Sequence, residues 1–243
     1  MPDASMWNHM MPTTGSETPD QTGRAPVRTY RGTTASERQA GRRERLLDAA
    51  LELLGTHGWS ETTMRGVCRE AHLNPRYFYE SFADLDALLL AMFDRAAAAL
   101  TEQILAAHVA APDDGPARAH AAISAFVHHV SDDRRLARIL FIEALGNPAL
   151  ARRRHDATDV MAERSARLAR ETYGIAEDPD HISDIAATLL VGGIAELIVA
   201  WLNGRLTITR DQLIEDITEL FVVTGEGAIA IAQKRAIARA GAR

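Results

Sequence analysis

The chain of 243 residues has one cysteine, Cys68, one lysine, Lys234, and only 5% aromatic residues. A single cysteine excludes an intramolecular disulfide and a multi-cysteine metal site. No run of about 18 apolar residues is evident, and the start MPDASMWNHMMPTTGSETPDQTGR lacks the basic opening and apolar stretch of a signal peptide. These absences predict a cytoplasmic protein with no membrane partner. There is no Ser-His-Asp order, phosphate loop or paired-carboxylate motif, so no catalytic residue is assigned and no enzyme is expected. His128, His129, His155 and His181 with Glu143 lack the Glu-x-x-His repeats of helical metal sites, so neither a metal nor a cofactor is predicted.

What is present is 47% apolar content, ample for a core, and an uneven charge. The total is −6, yet residues 24–82 hold ten arginines against seven acids and are positive. Residues 1–35 are rich in Pro, Gly, Ser and Thr without apolar periodicity, which predicts a disordered arm. Arg24, Arg28, Arg31, Arg38, Arg42, Arg43 and Arg45 are read together as a basic arm that wraps the DNA backbone or enters the minor groove.

From Ser36 onward the pattern is helical and no strand pattern interrupts it, so the fold is predicted to be all α. Leu46, Leu47, Ala50, Leu51 and Leu54 recur at helical spacing, and Gly55 with Gly58 is expected to stop that helix. Thr62 is the expected N-cap of a second helix with Met64, Val67, Cys68 and Ala71 inward. Asn74 before Pro75 must open a third, because a first-turn proline has no amide hydrogen to leave unsatisfied. Phe78 and Phe82 pin it inward, which leaves Arg76, Tyr77 and Tyr79 outward. Asp84 then caps a long fourth helix. Two helices across a tight turn, the second showing Arg and Tyr, match a helix-turn-helix whose second helix enters the major groove. Residues 36–83 are read as this DNA-binding domain and residues 84–243 as a helical domain for effector binding and dimerisation. In the latter, helices are expected near 117–131, 133–145, 148–173, 180–203 and 210–238. The helix at 180–203 has two apolar faces and therefore needs two covers. With the final helix it predicts half of a four-helix bundle completed by a homodimer, through Ile185, Leu189, Gly193, Leu197, Leu213, Ile217, Leu220 and Phe221.

The order Gly58, Thr62-Thr63, Val67, Ala71, Leu73, Tyr79, Phe82 and Leu88 resembles the DNA-binding end of the TetR (tetracycline repressor-like) family of bacterial transcription regulators. Fainter echoes occur in NPALARRR at 147–154 and AELIVAWLNGRL at 195–206. The resemblance implies a DNA surface of Arg42, Arg43, Thr62, Thr63, Arg65, Asn74, Pro75, Arg76, Tyr77, Tyr79 and Ser81. Thr62, Thr63, Arg65, Tyr79 and Ser81 would hold phosphates, Arg76 a phosphate or guanine, and Tyr77 a base or sugar. This chain departs from the family pattern in carrying His72 where a glycine is usual, Leu85 where a phosphate-gripping lysine is common, and an added negative charge at Glu80. The resemblance also implies a small effector, here an apolar one, walled by Phe93, Phe126, Phe141, Leu145 and Trp201, with His129, Glu143 and His181 as polar anchors. The resulting expectation is a homodimeric repressor of a palindromic operator, released by that effector. The alternatives are a helical ligand-binding protein or hydrolase without DNA binding, and an activator of the same fold.

Overall fold

A computed structural model of the chain describes residues 34–143, 146–174 and 180–241. The predicted arm, with Arg24, Arg28 and Arg31, lies outside the described residues but for its last two, as does Leu145. The chain divides into two compact units, Met1–Arg38 and Gln39–Arg243. In the first, Thr34 and Glu37 form a capping box: the Thr34 amide donates to Glu37 Oε2 at 2.6 Å and the Glu37 amide to Thr34 Oγ1 at 3.1 Å. That box opens α1 (Ala35–His57), so Arg38, Arg42, Arg43 and Arg45 belong to a helix and not to an extended arm.

After α1 the chain makes a 3-10 turn (Trp59–Glu61), then α2 (Met64–Glu70), α3 (Pro75–Tyr79), α4 (Leu85–Ala110), α5 (Gly115–Asp132) and α6 (Arg134–Ala137). A π-helical stretch (Arg138–Glu143) follows, then α7 (Pro148–Thr172), α8 (Ile182–Leu202) and α9 (Arg210–Gly241). There is no strand among the described residues. Local chemistry accounts for most of the boundaries. Asn74, Asp84, Asp114 and Asn147 each cap a helix through the side-chain oxygen, and Pro75 and Pro148 occupy first turns.

Two glycines at the end of α1 act differently from the expectation that both stop it. Gly55 lies inside the helix, where a Cβ would come within 2.4 Å of the Arg135 Cβ; its role is to let α6 approach. Gly58, at φ 85°, does the stopping.

One core runs through the second unit. Leu46, Leu54, Val67, Phe78 and Leu88 are buried in the front helices, and Phe93, Val127, Ile139, Leu150, Ile198 and Leu213 continue it into the rest. Cys68 fills a small slot between Val67 and the first helices, and burial pushes its thiol up. Helix α4 joins both parts: its first turns bury Leu88 and Leu89 in the front core, and Leu100 lies further along. Helix α8 is long and apolar enough to cross a membrane by length and composition, with a mean hydropathy of 2.1, which the sequence reading had not found. Ala187, Ala195, Ile198 and Val199 are buried on one side of it, and Ile185 and Leu189 are 52% and 69% exposed on the other.

Candidate DNA-binding surface and effector cavity

The turn between α2 and α3 is as tight as a glycine would make it. His72 takes φ 53°, the Leu73 amide donates to the Cys68 carbonyl at 2.9 Å, and Arg45 Nη2 donates to the Ala71 and His72 carbonyls at 2.6 and 3.2 Å. A left-handed non-glycine residue costs of order 1 kcal/mol, and here Arg45 holds the turn from α1. It is thus a clamp on the turn.

This turn presents α3. Arg76 and Tyr79 are exposed, the latter by 61%, while Phe78 is fully buried and meets Phe82 at 5.9 Å between ring centroids. Tyr77 is 36% exposed with the Arg42 guanidinium 4.5 Å above its ring, and Arg43 stacks 4.3 Å over Phe82. Glu80 binds two of these cations: its carboxylate lies 3.3 Å from Arg42 Nη2 and 3.3 Å from Arg76 Nε. Arg65 is exposed, with no ion pair among the described residues.

Two expected phosphate contacts are corrected. Thr62 is buried and its hydroxyl donates to the Gly58 carbonyl at 2.8 Å, because the cap of α2 is Thr63, whose Oγ1 accepts from the Gly66 amide at 3.1 Å. The Ser81 hydroxyl is shut away from solvent with no hydrogen-bond partner among the described residues. Asn74 is exposed, but its side chain is committed to the Arg76 amide at 2.9 Å, which caps α3 beside Pro75. Arg65, Arg76, Tyr77 and Tyr79, with Thr63 at the rim, remain open to a duplex.

Behind these helices lies a cavity of about 290 Å3, walled by α4, α5, the π-helical stretch, α7, α8 and α9. Phe93, Phe126 and Phe141 line it as expected, the last two meeting edge-on at 6.1 Å. The other expected residues that are described do not. Trp201 Nε1 donates to the Ile208 carbonyl at 3.0 Å and pins the turn between α8 and α9. His181 pairs with Asp184 at 3.1 Å on the surface, and His129 is half-buried away from the cavity wall. Glu143 has turned toward the front helices: its Oε2 accepts from the Trp59 amide at 2.8 Å and its Oε1 from Arg138 Nε at 2.7 Å. Arg138 Nη1 in turn donates to the Thr56 carbonyl at 2.9 Å. A Cβ at Gly58 would meet this guanidinium at 2.6 Å, a second reason for glycine there. Beside it Arg135 pairs with Glu52 at 2.5 Å and forks Asp133, holding that carboxyl below its ordinary range.

The π-helical stretch therefore has two jobs. Leu140 and Phe141 wall the cavity, and Arg138 and Glu143 grip the end of α1.

The sequence reading missed the contribution of α7. Arg154, Thr158, Met161, Arg164 and Ser165 line the cavity. The run Arg152-Arg153-Arg154 is not a uniformly solvated face: Arg153 forks Asp94 on α4 at 2.5 and 2.7 Å, and Arg154 pairs with Glu196 while facing the cavity. The signal was available in the i, i+4, i+7, i+11 spacing of Arg154, Thr158, Met161 and Ser165.

Four expected interface residues are corrected as well. Leu213 and Ile217 are 1% and 2% exposed in the core of their own subunit, Leu197 packs on that core, and Phe221 lines the cavity. Ile185, Leu189, Gly193 and Leu220 are exposed, joined on α9 by Val223 at 61%.

The family model for bacterial regulatory proteins, tetR family, matches residues 46–92. No curated protein sequence matches the chain. Among solved structures, the fatty acid degradation regulator FadR from Bacillus halodurans is 15% identical, with a TM-score of 0.64 over 74% of this chain and 94% of its own. A tetR-family transcriptional regulator from Streptomyces coelicolor is 18% identical with a TM-score of 0.62, covering 80% of this chain and 88% of its own. One from Marinobacter aquaeolei VT8 is 19% identical, with a TM-score of 0.57 over 78% of this chain and 97% of its own. At such identities the likeness speaks for the fold, and the match over 46–92 speaks for the reading head. The family match spans α2, the α2–α3 turn and α3, and the fold is shared along most of the chain's length, so the front helices are similar to the DNA-binding head of tetR-family bacterial regulatory proteins.

Proposed function

We propose that the chain acts as a homodimeric repressor that reads a palindromic operator through its two α3 helices and lets go when a small molecule fills the cavity. The observation that carries this reading is the double role of the π-helical stretch. The side chains of Leu140 and Phe141 would be displaced by anything that swells the cavity, and Arg138 and Glu143 of the same stretch hold Thr56 in the last turn of α1 and Trp59 just after it by hydrogen bonds. A ligand that binds one arrangement of this stretch better than another shifts the population of head orientations. Two heads must lie about 34–36 Å apart to enter successive major grooves, so a small change in orientation suffices to end binding.

Dimerisation is supported by the apolar residues left uncovered on α8 and α9. Ile185, Leu189, Leu220 and Val223 are each more than half exposed, and Gly192 and Gly193 have open space above them for a partner helix. The DNA surface is proposed to be Arg65, Arg76, Tyr77 and Tyr79 with Thr63, and Arg42 and Arg43 behind them. The basic residues before Arg38 are proposed to add phosphate contacts of their own. No catalytic step enters this reading.

Gel-shift titration against fragments flanking the protein's own gene tests it. The wild type is expected to shift one fragment as a dimer, Arg76→Ala with Tyr77→Ala to lose that shift but stay dimeric, and Leu189→Arg to become monomeric. Failure to shift any fragment at low salt, or a Leu189→Arg protein that is still a dimer, overturns the corresponding part.

A further inference from the structure

The cavity wall carries charge of one sign. Arg118, Arg154 and Arg164 line it, His108 joins them, and no aspartate or glutamate is among the described lining residues, in a chain whose net charge is −6. The remaining lining is almost wholly apolar. Two of the three arginines have carboxylates elsewhere: Arg154 pairs with Glu196 and Arg118 with Asp113 at 2.9 Å. Arg164 has neither an ion pair nor a hydrogen bond among the described residues, although it is half-buried against the cavity. A guanidinium partly withdrawn from water is ordinarily matched by an anion, because desolvation of the cation is otherwise uncompensated. The shape points the same way. Lining residues run along α7 from Arg154 to Thr172, roughly 27 Å at the rise of an α-helix, so the cavity is long in that direction.

We propose that the effector is an elongated amphiphile, an unbranched acyl or alkyl chain ending in a carboxylate, whose chain lies along α7 among Phe93, Phe126, Phe141 and Met161 and whose head is held by Arg164. This rests on the reading of the cavity as the effector site. Cationic ligands meet three arginines and no acid among the described lining residues. The carboxylate takes two hydrogen bonds from the planar fork of the guanidinium, and each methylene that fits tightens binding by roughly fourfold.

The test is calorimetric titration of the purified dimer with octanoate, decanoate and dodecanoate, with 1-dodecanol, and with dodecyltrimethylammonium, all below their aggregation limits. Affinity is expected to rise along the acid series. Dodecanoate is expected to bind at least roughly tenfold tighter than dodecanol, the lower end of what a charge-assisted hydrogen bond supplies, and the ammonium to bind weakest. Arg164→Gln should erase the acid-over-alcohol preference, and Arg164→Lys should restore part of it. Equal binding of acid and alcohol, no binding of any chain, or a preference that survives Arg164→Gln each overturns the proposal. Operator affinity of the ligand-free protein, measured in parallel, separates the two readings. Intact operator binding without acid preference removes only the ligand class, whereas absence of operator binding removes the regulatory reading on which it stands.

Discussion

Replacing Glu143 with alanine removes the one carboxylate that ties the π-helical stretch to the front helices. Two hydrogen bonds go with it, from the Trp59 amide at 2.8 Å and from Arg138 Nε at 2.7 Å. The two losses differ in kind. The Trp59 amide is part-buried, and an orphaned donor of that sort costs about 1–3 kcal/mol. Arg138 is 35% exposed and keeps its bond to the Thr56 carbonyl, so it rehydrates and the ion pair itself contributes no more than about 1 kcal/mol. The expected destabilisation is about 2–3 kcal/mol, which in a protein of this size lowers Tm by roughly 4–12 °C. Glu143→Gln keeps one amide oxygen for the Trp59 amide and gives up the charge and the acceptor for the half-exposed Arg138, so its cost is about 1 kcal/mol or less. Thermal melts followed by circular dichroism at 222 nm should rank the proteins wild type, glutamine, alanine. If alanine and glutamine melt together, the backbone amide is not the dominant loss. If both melt with the wild type, the clasp does not hold the two parts together.

Glu80 restrains Arg42 and Arg76, so Glu80→Gln should tighten binding to any duplex and steepen the salt dependence by up to roughly 0.9 for each phosphate newly neutralised; a slope equal to or shallower than wild type, measured by fluorescence anisotropy from 50 to 300 mM salt, contradicts this. Burial holds the Cys68 thiol up and out of reach, so Ellman's reagent at pH 8 should react only as the protein is unfolded, and prompt stoichiometric reaction in buffer would refute the packing. Asp133 and Asp184 are held below their ordinary value of 3.8 by hydrogen bonds from Arg135 and Arg170. The unfolded carboxylates therefore take protons first, so this stabilisation is complete above the ordinary value and fades as pH falls below about 4. Asp133→Asn should melt lower at pH 7 and show a smaller further loss between pH 5 and 3 than wild type, and an unchanged acid limb would argue against the Arg135 fork.

Much of the reading head was legible because its signals are local. A proline at the first turn of α3, an asparagine before it and phenylalanines four apart leave few choices for which side of a five-residue helix faces out, and Tyr77, Tyr79 and Arg76 do face out. The errors arose where one residue type serves two purposes. Thr62 and Thr63 are equivalent caps on paper, and only the buried Gly58 carbonyl decides that the first turns inward and the second caps. The arginines from Arg38 to Arg45 read as an arm because basic residues near a chain's start have no periodicity of their own, whereas the Thr34–Glu37 box shows where a helix begins.

The amino-acid order by itself determined the helical class, the Asn74 and Asp84 caps, the reading helix and the paired apolar faces of α8, since each depends on contacts within a few residues. Which apolar face is covered by the subunit and which is left open was decided only in three dimensions. Leu213 and Ile217 vanish into the core of their own chain while Leu189 and Leu220 do not, because burial depends on neighbours distant in sequence. The same holds for Glu143, which a list of polar residues near a cavity offers as a ligand anchor and which the fold spends on Trp59, 84 positions away. It holds most for Arg164, an ordinary arginine in a long helix until the surrounding helices leave it beside an apolar cavity with no acid to meet it among the described residues.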